Sequence, residues 1–236
     1  MLLGFIQLEL PGLIGLPDGR YLAREGDAER VLIIKASAAA RAGRRRRRPR
    51  AVDPGEPAAV PVSRITVTGS KAFGDSRAAG EWLNRIAVDP EARTAEVRSA
   101  TRVVNRALNA LRAAARDPLV QDIGATRALA IRIGFGEGEQ LADGRWTKAR
   151  ELPPPRHGRL ENVDPQTRVA AVLGGREQVH PAETLLERAR LDLEQGRNAE
   201  AAYGLRAASA ALDEDPGPRE EELRQRIAEV QRRLAT

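Results

Sequence analysis

The arginines between Arg41 and Arg50 are the residues whose chemistry is easiest to name. Five consecutive arginines are flanked by two more, so seven cations lie within ten residues. Guanidinium groups at this density suit phosphate binding, because neutralising a nucleic-acid backbone releases its counterions. Our candidate nucleic-acid-binding residues are therefore Arg41, Arg44, Arg45, Arg46, Arg47, Arg48 and Arg50.

The positive charge of the chain is confined to this cluster. The formal net charge is +6, and +6 less these seven arginines is −1. A chain that was basic throughout would suggest nucleic-acid contact over its whole surface, whereas this one has a near-neutral body. No aromatic residue lies among the arginines to stack on bases, so we predict at most nonspecific binding. Anionic lipid is a further candidate ligand, and a solvated segment without a ligand is the alternative.

The other chemistry-bearing residues do not combine into a catalytic or metal site. The chain has no cysteine, and neither His157 nor His180 has a neighbour at metal-ligand spacing. The glycines of Gly134–Gly138 resemble a phosphate-binding loop, but no helix is expected to begin after them. We interpret this segment as a flexible hairpin with either a bulge or a close approach of two backbones. We therefore predict no catalytic residue, no metal and no cofactor, and we favour a protein that is not an enzyme.

A long helix is predicted between Asp89-Pro90 and Asp117-Pro118, two pairs that mark a helix start and stop. Its apolar side chains recur every three or four residues, which gives one buried stripe. The opposite face carries Arg93, Arg98, Arg102, Arg106, Asn109 and Arg112. We interpret that face as solvated; contact of some of these residues with the phosphate of a partner is the alternative.

Residues 1–152 predict an α+β domain. Ile6, Leu8 and Leu10 alternate with other residues as in a half-buried strand, and the run 31–34 indicates a central strand. Further strands are expected at 20–24, 64–68, 129–133 and 145–147, the last after a hairpin turn at Asp143-Gly144. Strands joined by turns, with one long helix, favour a mainly antiparallel sheet. A disordered Arg-rich insert is predicted at 36–62, between two strands.

Residues 153–163, which begin with three prolines, predict a linker, and residues 164–236 predict a small helical bundle. A short helix is expected to begin at Asp164-Pro165 and to end at Gly174-Gly175. Three longer helices are expected over 181–195, 198–212 and 218–234, each with periodic apolar residues. We expect Gly196 and Asn198 to form the tight turn between the first two of these.

Two resemblances add to this organisation. The segment LLERARLDLEQGRNAEAAYGLRAASAALDEDP is similar to one tetratricopeptide unit, with Ala201 and Ala208 around Leu205. Such units stack in arrays of about three or more, whereas one is present here, and a generic antiparallel helix pair is the alternative. The segments LELPGLIGLPDGRY, RIGFGEGEQLADGRWTKARELPPP and VAAVLGGRE, with the Arg-rich insert and the helical tail, resemble a protein family of GC-rich bacteria that has no assigned activity.

The function that we predict is a non-catalytic interaction protein. The amphipathic C-terminal helices suggest contact with a protein partner, and nonspecific nucleic-acid binding through Arg41–Arg50 is the alternative. The apolar N-terminus lacks a basic region and is interrupted by Glu9, so we expect no signal peptide. No apolar run approaches the roughly 20 residues that span a bilayer. We therefore predict a cytoplasmic protein, and the sequence leaves its oligomeric state open.

Overall fold

The computed structural model describes residues 1–25, 27–36, 61–142, 144–153 and 165–236. The chain divides into two compact units, Met1–His157 and Gly158–Thr236. The first unit holds an antiparallel sheet with a long helix and the second holds helices, so the predicted α+β fold class is confirmed. The predicted Arg-rich insert lies almost wholly outside the described residues, as does nearly all of the predicted linker.

Six strands form the sheet of the first unit in the order β2-β3-β4-β1-β5-β6. Every neighbouring pair is antiparallel. The strands are β1 Leu2–Pro11, β2 Gly19–Glu25, β3 Ala28–Ala36, β4 Val62–Phe73, β5 Ala130–Glu137 and β6 Lys148–Leu152. The predicted strand at 145–147 is wrong, because residues 144–147 form the turn region that precedes β6. The strands expected at 20–24, 31–34 and 64–68 lie within β2, β3 and β4, and β3 is an interior strand as predicted.

Strand β1 is buried on both faces, which corrects the half-buried strand predicted from its alternation. Ile6 and Leu8 face the main core, while Phe5 and Gln7 on the opposite face are each only 1% exposed. The rings of Phe5 and Trp146 lie 5.7 Å apart, so the segment after β5 covers this second face. The Gln7 amide donates to the Thr66 hydroxyl at 3.0 Å, which satisfies a polar group that burial would otherwise destabilise.

Two helices of the first unit pack against the other face of the sheet. Helix α1 (Ser76–Val88) begins at Asp75, whose carboxylate accepts from Ala78 N–H at 2.8 Å. Helix α2 (Pro90–Ala115) begins at Asp89, which accepts from two backbone N–H groups of the first turn. The start of α2 at Asp89 is predicted from sequence. The buried stripe of α2 ends at Leu108, and Ala115 at the end of the helix is exposed.

The glycine-rich segment Gly134–Gly138, which lies mostly within β5, differs in one respect from its prediction. A five-residue helix, α3 (Gly138–Ala142), follows the glycines, where no helix was expected. The close backbone approach is confirmed. A Cβ added at Gly134 would overlap the carbonyl oxygen of Lys148 and lie 2.8 Å from the Cα of Ala149. The glycine therefore lets β6 pair tightly with β5.

The second unit is helical, as predicted. Its helices are α4 Pro165–Leu173, α5 Pro181–Glu194, α6 Asn198–Glu214 and α7 Glu220–Leu234. Leu186, Leu205 and Ile227 contribute to one apolar core shared by α5, α6 and α7. Gly196 has a φ of 73°, a left-handed conformation that favours glycine, and it forms the predicted tight turn between α5 and α6. Among the described residues, no helix is both long and apolar enough to cross a bilayer.

Candidate partner-binding surface

The sequence-predicted binding residues Arg41, Arg44 to Arg48 and Arg50 lie outside the described residues. The described ranges contain no group of three or more His, Asp or Glu side chains that could hold a metal ion.

The cluster of charged side chains around Glu9 in the first unit has a structural role. The Glu9 carboxylate on β1 lies 2.8 Å from Arg132 and 3.0 Å from Arg64, on the two neighbouring strands. Partial burial alone would raise the pKa of Glu9, but hydrogen bonds and charges from the two arginines outweigh it and lower that pKa. Glu9 is thus held ionised, and the two arginines balance its charge. A carboxylate in this state is unsuited to act as a general acid and well suited to link three strands.

His180, one of the two histidines considered in the sequence, caps helix α5. Its Nδ1 accepts from the Ala182 N–H at 3.1 Å, so Nε2 carries the proton and donates to the Asp215 carbonyl oxygen at 2.8 Å. Both ring nitrogens are therefore occupied, and His180 ties the α6–α7 connection to the start of α5. The position directly before Pro181 is the sequence signal for this cap.

Glu183 is the centre of a charge network beneath the same connection. Its side chain is 9% exposed and lies 2.7 Å from Arg168 of α4 and 3.4 Å from Arg219. Burial would raise the pKa of Glu183, but hydrogen bonding to Arg168, with support from Arg219, lowers it overall. Arg219 also binds Glu222 at 2.6 Å. The network holds α4 and the start of α7 against α5.

Helix α6 presents a face that the bundle leaves exposed. Its buried side carries Ala201, Leu205, Ala208 and Leu212. The exposed side combines alanines with Tyr203, which is 67% exposed, and Arg206, and charged residues lie toward the two helix ends at Glu200, Asp213 and Glu214. We define the α6 face by its exposed residues Ala199, Tyr203, Arg206, Ala207 and Ala210.

Tyr203 and Arg206 are stacked on the α6 face. The Arg206 guanidinium carbon lies 4.6 Å from the centre of the Tyr203 ring, which is within the range of a cation–π contact. The stack holds a large amphipathic ring and a planar cation beside exposed alanines. Sequence reasoning missed Tyr203; the available signal was a lone aromatic residue opposite the apolar stripe of a helix.

Helix α4 also exposes apolar side chains. None of its residues is buried, and Val169 and Leu173 are 55% and 84% exposed. Arg168 holds α4 to the second unit, since it binds Glu177 as well as Glu183. Apolar residues on two helices of the second unit are thus available to a partner.

No protein-family model, curated protein or solved structure matches this chain.

Proposed function

We propose that this chain is a non-catalytic interaction protein whose C-terminal bundle binds a protein partner through the α6 face. The stacked Tyr203–Arg206 pair is the observation that carries the proposal. Tyr and Arg are enriched among the residues that dominate protein–protein binding energy, because they combine large contact area with directed hydrogen bonds. A solvated helix face has no requirement for an exposed tyrosine.

The surroundings of the pair support the same function. Ala199, Ala207 and Ala210 leave room for a partner backbone or helix to approach α6. On the buried side, a Cβ at Gly204 would lie 3.0 Å from the Cβ of Ala189, so α6 packs closely on α5. A helix held this firmly loses little conformational freedom on binding, which favours affinity.

Site-specific photo-crosslinking in cells of the source organism tests this function. We expect p-benzoylphenylalanine at Ala207, on the α6 face, to capture a discrete protein. The same group at Gln231, which is exposed on α7, is the matched control and should not capture that protein. The captured protein is then purified and its affinity for the full-length chain is measured by calorimetry.

Substitution of the stacked pair completes the test. We expect Tyr203→Ala to weaken binding of the captured protein by about 2 kcal/mol, roughly 30-fold in Kd, as for other interface anchors. The stability of the variant should change by less than about 0.5 kcal/mol, because the side chain is exposed. Equal capture at positions 207 and 231, or an unchanged Kd for Tyr203→Ala, would contradict the proposal.

A further inference from the structure

The outward stripe of α2 is basic beyond its first turn, which exposes the acid Glu91. Between positions 95 and 113, the exposed residues of α2 are three arginines separated by four residues each and three alanines. We call Arg98, Arg102 and Arg106 the arginine ridge. The three alanines are Ala95, Ala110 and Ala113.

The ridge differs from neighbouring arginines that have structural partners. Arg112 binds Asp122 at 3.0 Å, and Arg30 donates to the Ser99 hydroxyl at 2.9 Å. In the described ranges, no carboxylate lies within ion-pair distance of the ridge. Like charges at i and i+4 destabilise a helix, so this arrangement opposes stability in the absence of an anionic partner.

The fold presents the ridge as a row of side chains along one side of α2. Its opposite side is anchored in the core by Val97, Val104 and Leu108. With a rise of 1.5 Å per residue, Arg98 to Arg106 span about 12 Å. A nucleic-acid duplex carries one charge per about 1.7 Å of its axis, or roughly seven over that length. Three cations in a row therefore meet an excess of regularly spaced phosphates.

The other residues of the stripe distinguish between classes of anion. Membrane-surface helices insert bulky apolar residues beside their cations, whereas here alanines lie beside the arginines. Single strands are bound by aromatic side chains that stack on bases, and the stripe has no aromatic residue. We propose that the arginine ridge binds the phosphate backbone of double-stranded nucleic acid, independently of base sequence. This site goes beyond the protein contact of the C-terminal unit and does not depend on it.

The attachment of the Arg-rich segment is consistent with this site. Gly12 N–H donates to the Pro61 carbonyl at 2.7 Å, and a Cβ at Gly15 would lie 3.6 Å from the Leu111 side chain of α2. The segment that carries Arg41–Arg50 thus joins the fold at the sheet end toward which α2 runs. The two basic groups are separable by mutation.

Duplex binding by the full-length chain tests the ridge. The probe is a fluorescein-labelled 24-base-pair DNA of mixed sequence, with duplex RNA and single-stranded DNA as parallel arms, and anisotropy is measured from 50 to 200 mM salt. We expect Arg98→Gln/Arg102→Gln/Arg106→Gln to weaken duplex binding about 10-fold or more at 50 mM salt. The slope of log K against log salt should fall in magnitude by about 2 to 3, since each phosphate contact contributes about 0.9.

The control separates local contact from net charge. Arg176→Gln/Arg232→Gln/Arg233→Gln removes the same charge from exposed positions of the second unit and should change the duplex Kd by less than about 3-fold. Both triple variants are repeated with Arg44–Arg48 changed to Ser, where the difference between them should persist. The ridge variant should unfold at the same or a higher temperature, because two like-charge pairs are removed.

The proposal would be overturned if the unmodified chain did not bind duplex at 50 mM salt, or if the ridge and control variants weakened duplex binding equally. It would also be overturned if the ridge were required for binding to phosphatidylserine vesicles but not for binding to duplex.

Discussion

At the scale of single residues, some ion pairs of this protein share one partly buried carboxylate. These pairs differ from ion pairs between fully exposed side chains. Exposed ion pairs contribute little, because solvent screens them. Glu183 is different, since its nearly buried carboxylate joins residues from α4 and from the start of α7. Removal of this one group leaves two guanidiniums without their shared acceptor.

We predict that Glu183→Gln lowers the free energy of unfolding of the second unit at pH 7 by about 2 kcal/mol, as expected for a hydrogen-bonded charged group. The folded-state pKa of Glu183 is lowered, so its stabilisation is fully present above the pKa of the unfolded chain, about 4.3. That stabilisation is lost as the pH falls through the lowered folded-state pKa. Urea unfolding followed by circular dichroism between pH 7 and pH 2 measures the effect.

Glu229→Gln is the control, because this residue is exposed on α7. It should leave the free energy of unfolding within about 0.5 kcal/mol of the unmodified protein at pH 7. The difference between Glu183→Gln and the unmodified protein should shrink toward low pH. A difference that stays constant down to pH 2 would show that the lost stability is not linked to ionisation of Glu183.

At the scale of elements, the β5–β6 hairpin depends on one residue without a side chain. Gly134 is paired with Ala149, and β6 forms one edge of the sheet. The atoms that a Cβ would meet belong to the backbone of β6, so they cannot move aside as a flexible side chain can. The pairing of an entire strand is therefore sensitive to one methyl group.

We predict that Gly134→Ala lowers the free energy of unfolding of the first unit by about 1–3 kcal/mol, the usual cost of overpacking. Gly80→Ala is the matched control, because a Cβ at Gly80 in α1 meets nothing within 4 Å. That change should stabilise the unit by about 0.5–1 kcal/mol through helix propensity. Denaturant unfolding followed by tryptophan fluorescence measures both, and equal stability of the two variants would contradict the packing argument.

At the scale of the whole molecule, the chain contains two compact units, each with its own apolar core. Leu83 and Ile133 belong to the first core, and Leu186 and Leu205 belong to the second. Both tryptophans, Trp82 and Trp146, lie in the first unit. Tryptophan fluorescence therefore reports unfolding of the first unit, while circular dichroism reports both.

We predict that the two cores respond separately to mutation. Leu205→Ala should destabilise the second unit by about 2–5 kcal/mol and leave the transition seen by tryptophan fluorescence unchanged. Leu83→Ala, which empties a fully buried position in α1, should lower the fluorescence transition instead. A shift of the fluorescence transition in Leu205→Ala would show that the units unfold together.

Several elements could be predicted because their signals are local. The carboxylates of Asp75 and Asp89 precede their helices directly, and periodic leucines mark the bundle helices. Burial of both faces of β1 could not be predicted, since it depends on a segment about 140 residues away. The short helix α3 was missed because five residues offer too little periodicity to recognise.

The two candidate binding sites, the arginine ridge and Tyr203 on the α6 face, differ in how far sequence alone predicts them. The positions of Arg98, Arg102 and Arg106 on one stripe follow from helical periodicity, and sequence alone places them opposite the apolar residues. The exposure of the Tyr203 ring, in contrast, depends on tertiary structure, because α5 and α7 pack against the other side of α6.

The sequence by itself determined the α+β class, the helix start at Asp89 and most element positions, because these depend on residues within a few positions of one another. Tertiary structure decided which charges are neutralised and which remain exposed. Glu9 forms ion pairs with arginines on β4 and β5, and Glu183 forms one with Arg219, which is 36 positions away in sequence. The arginine ridge, in contrast, forms no ion pair with a carboxylate of the described residues. Ion pairing depends on distance in space, which hydrophobic periodicity along the chain does not encode.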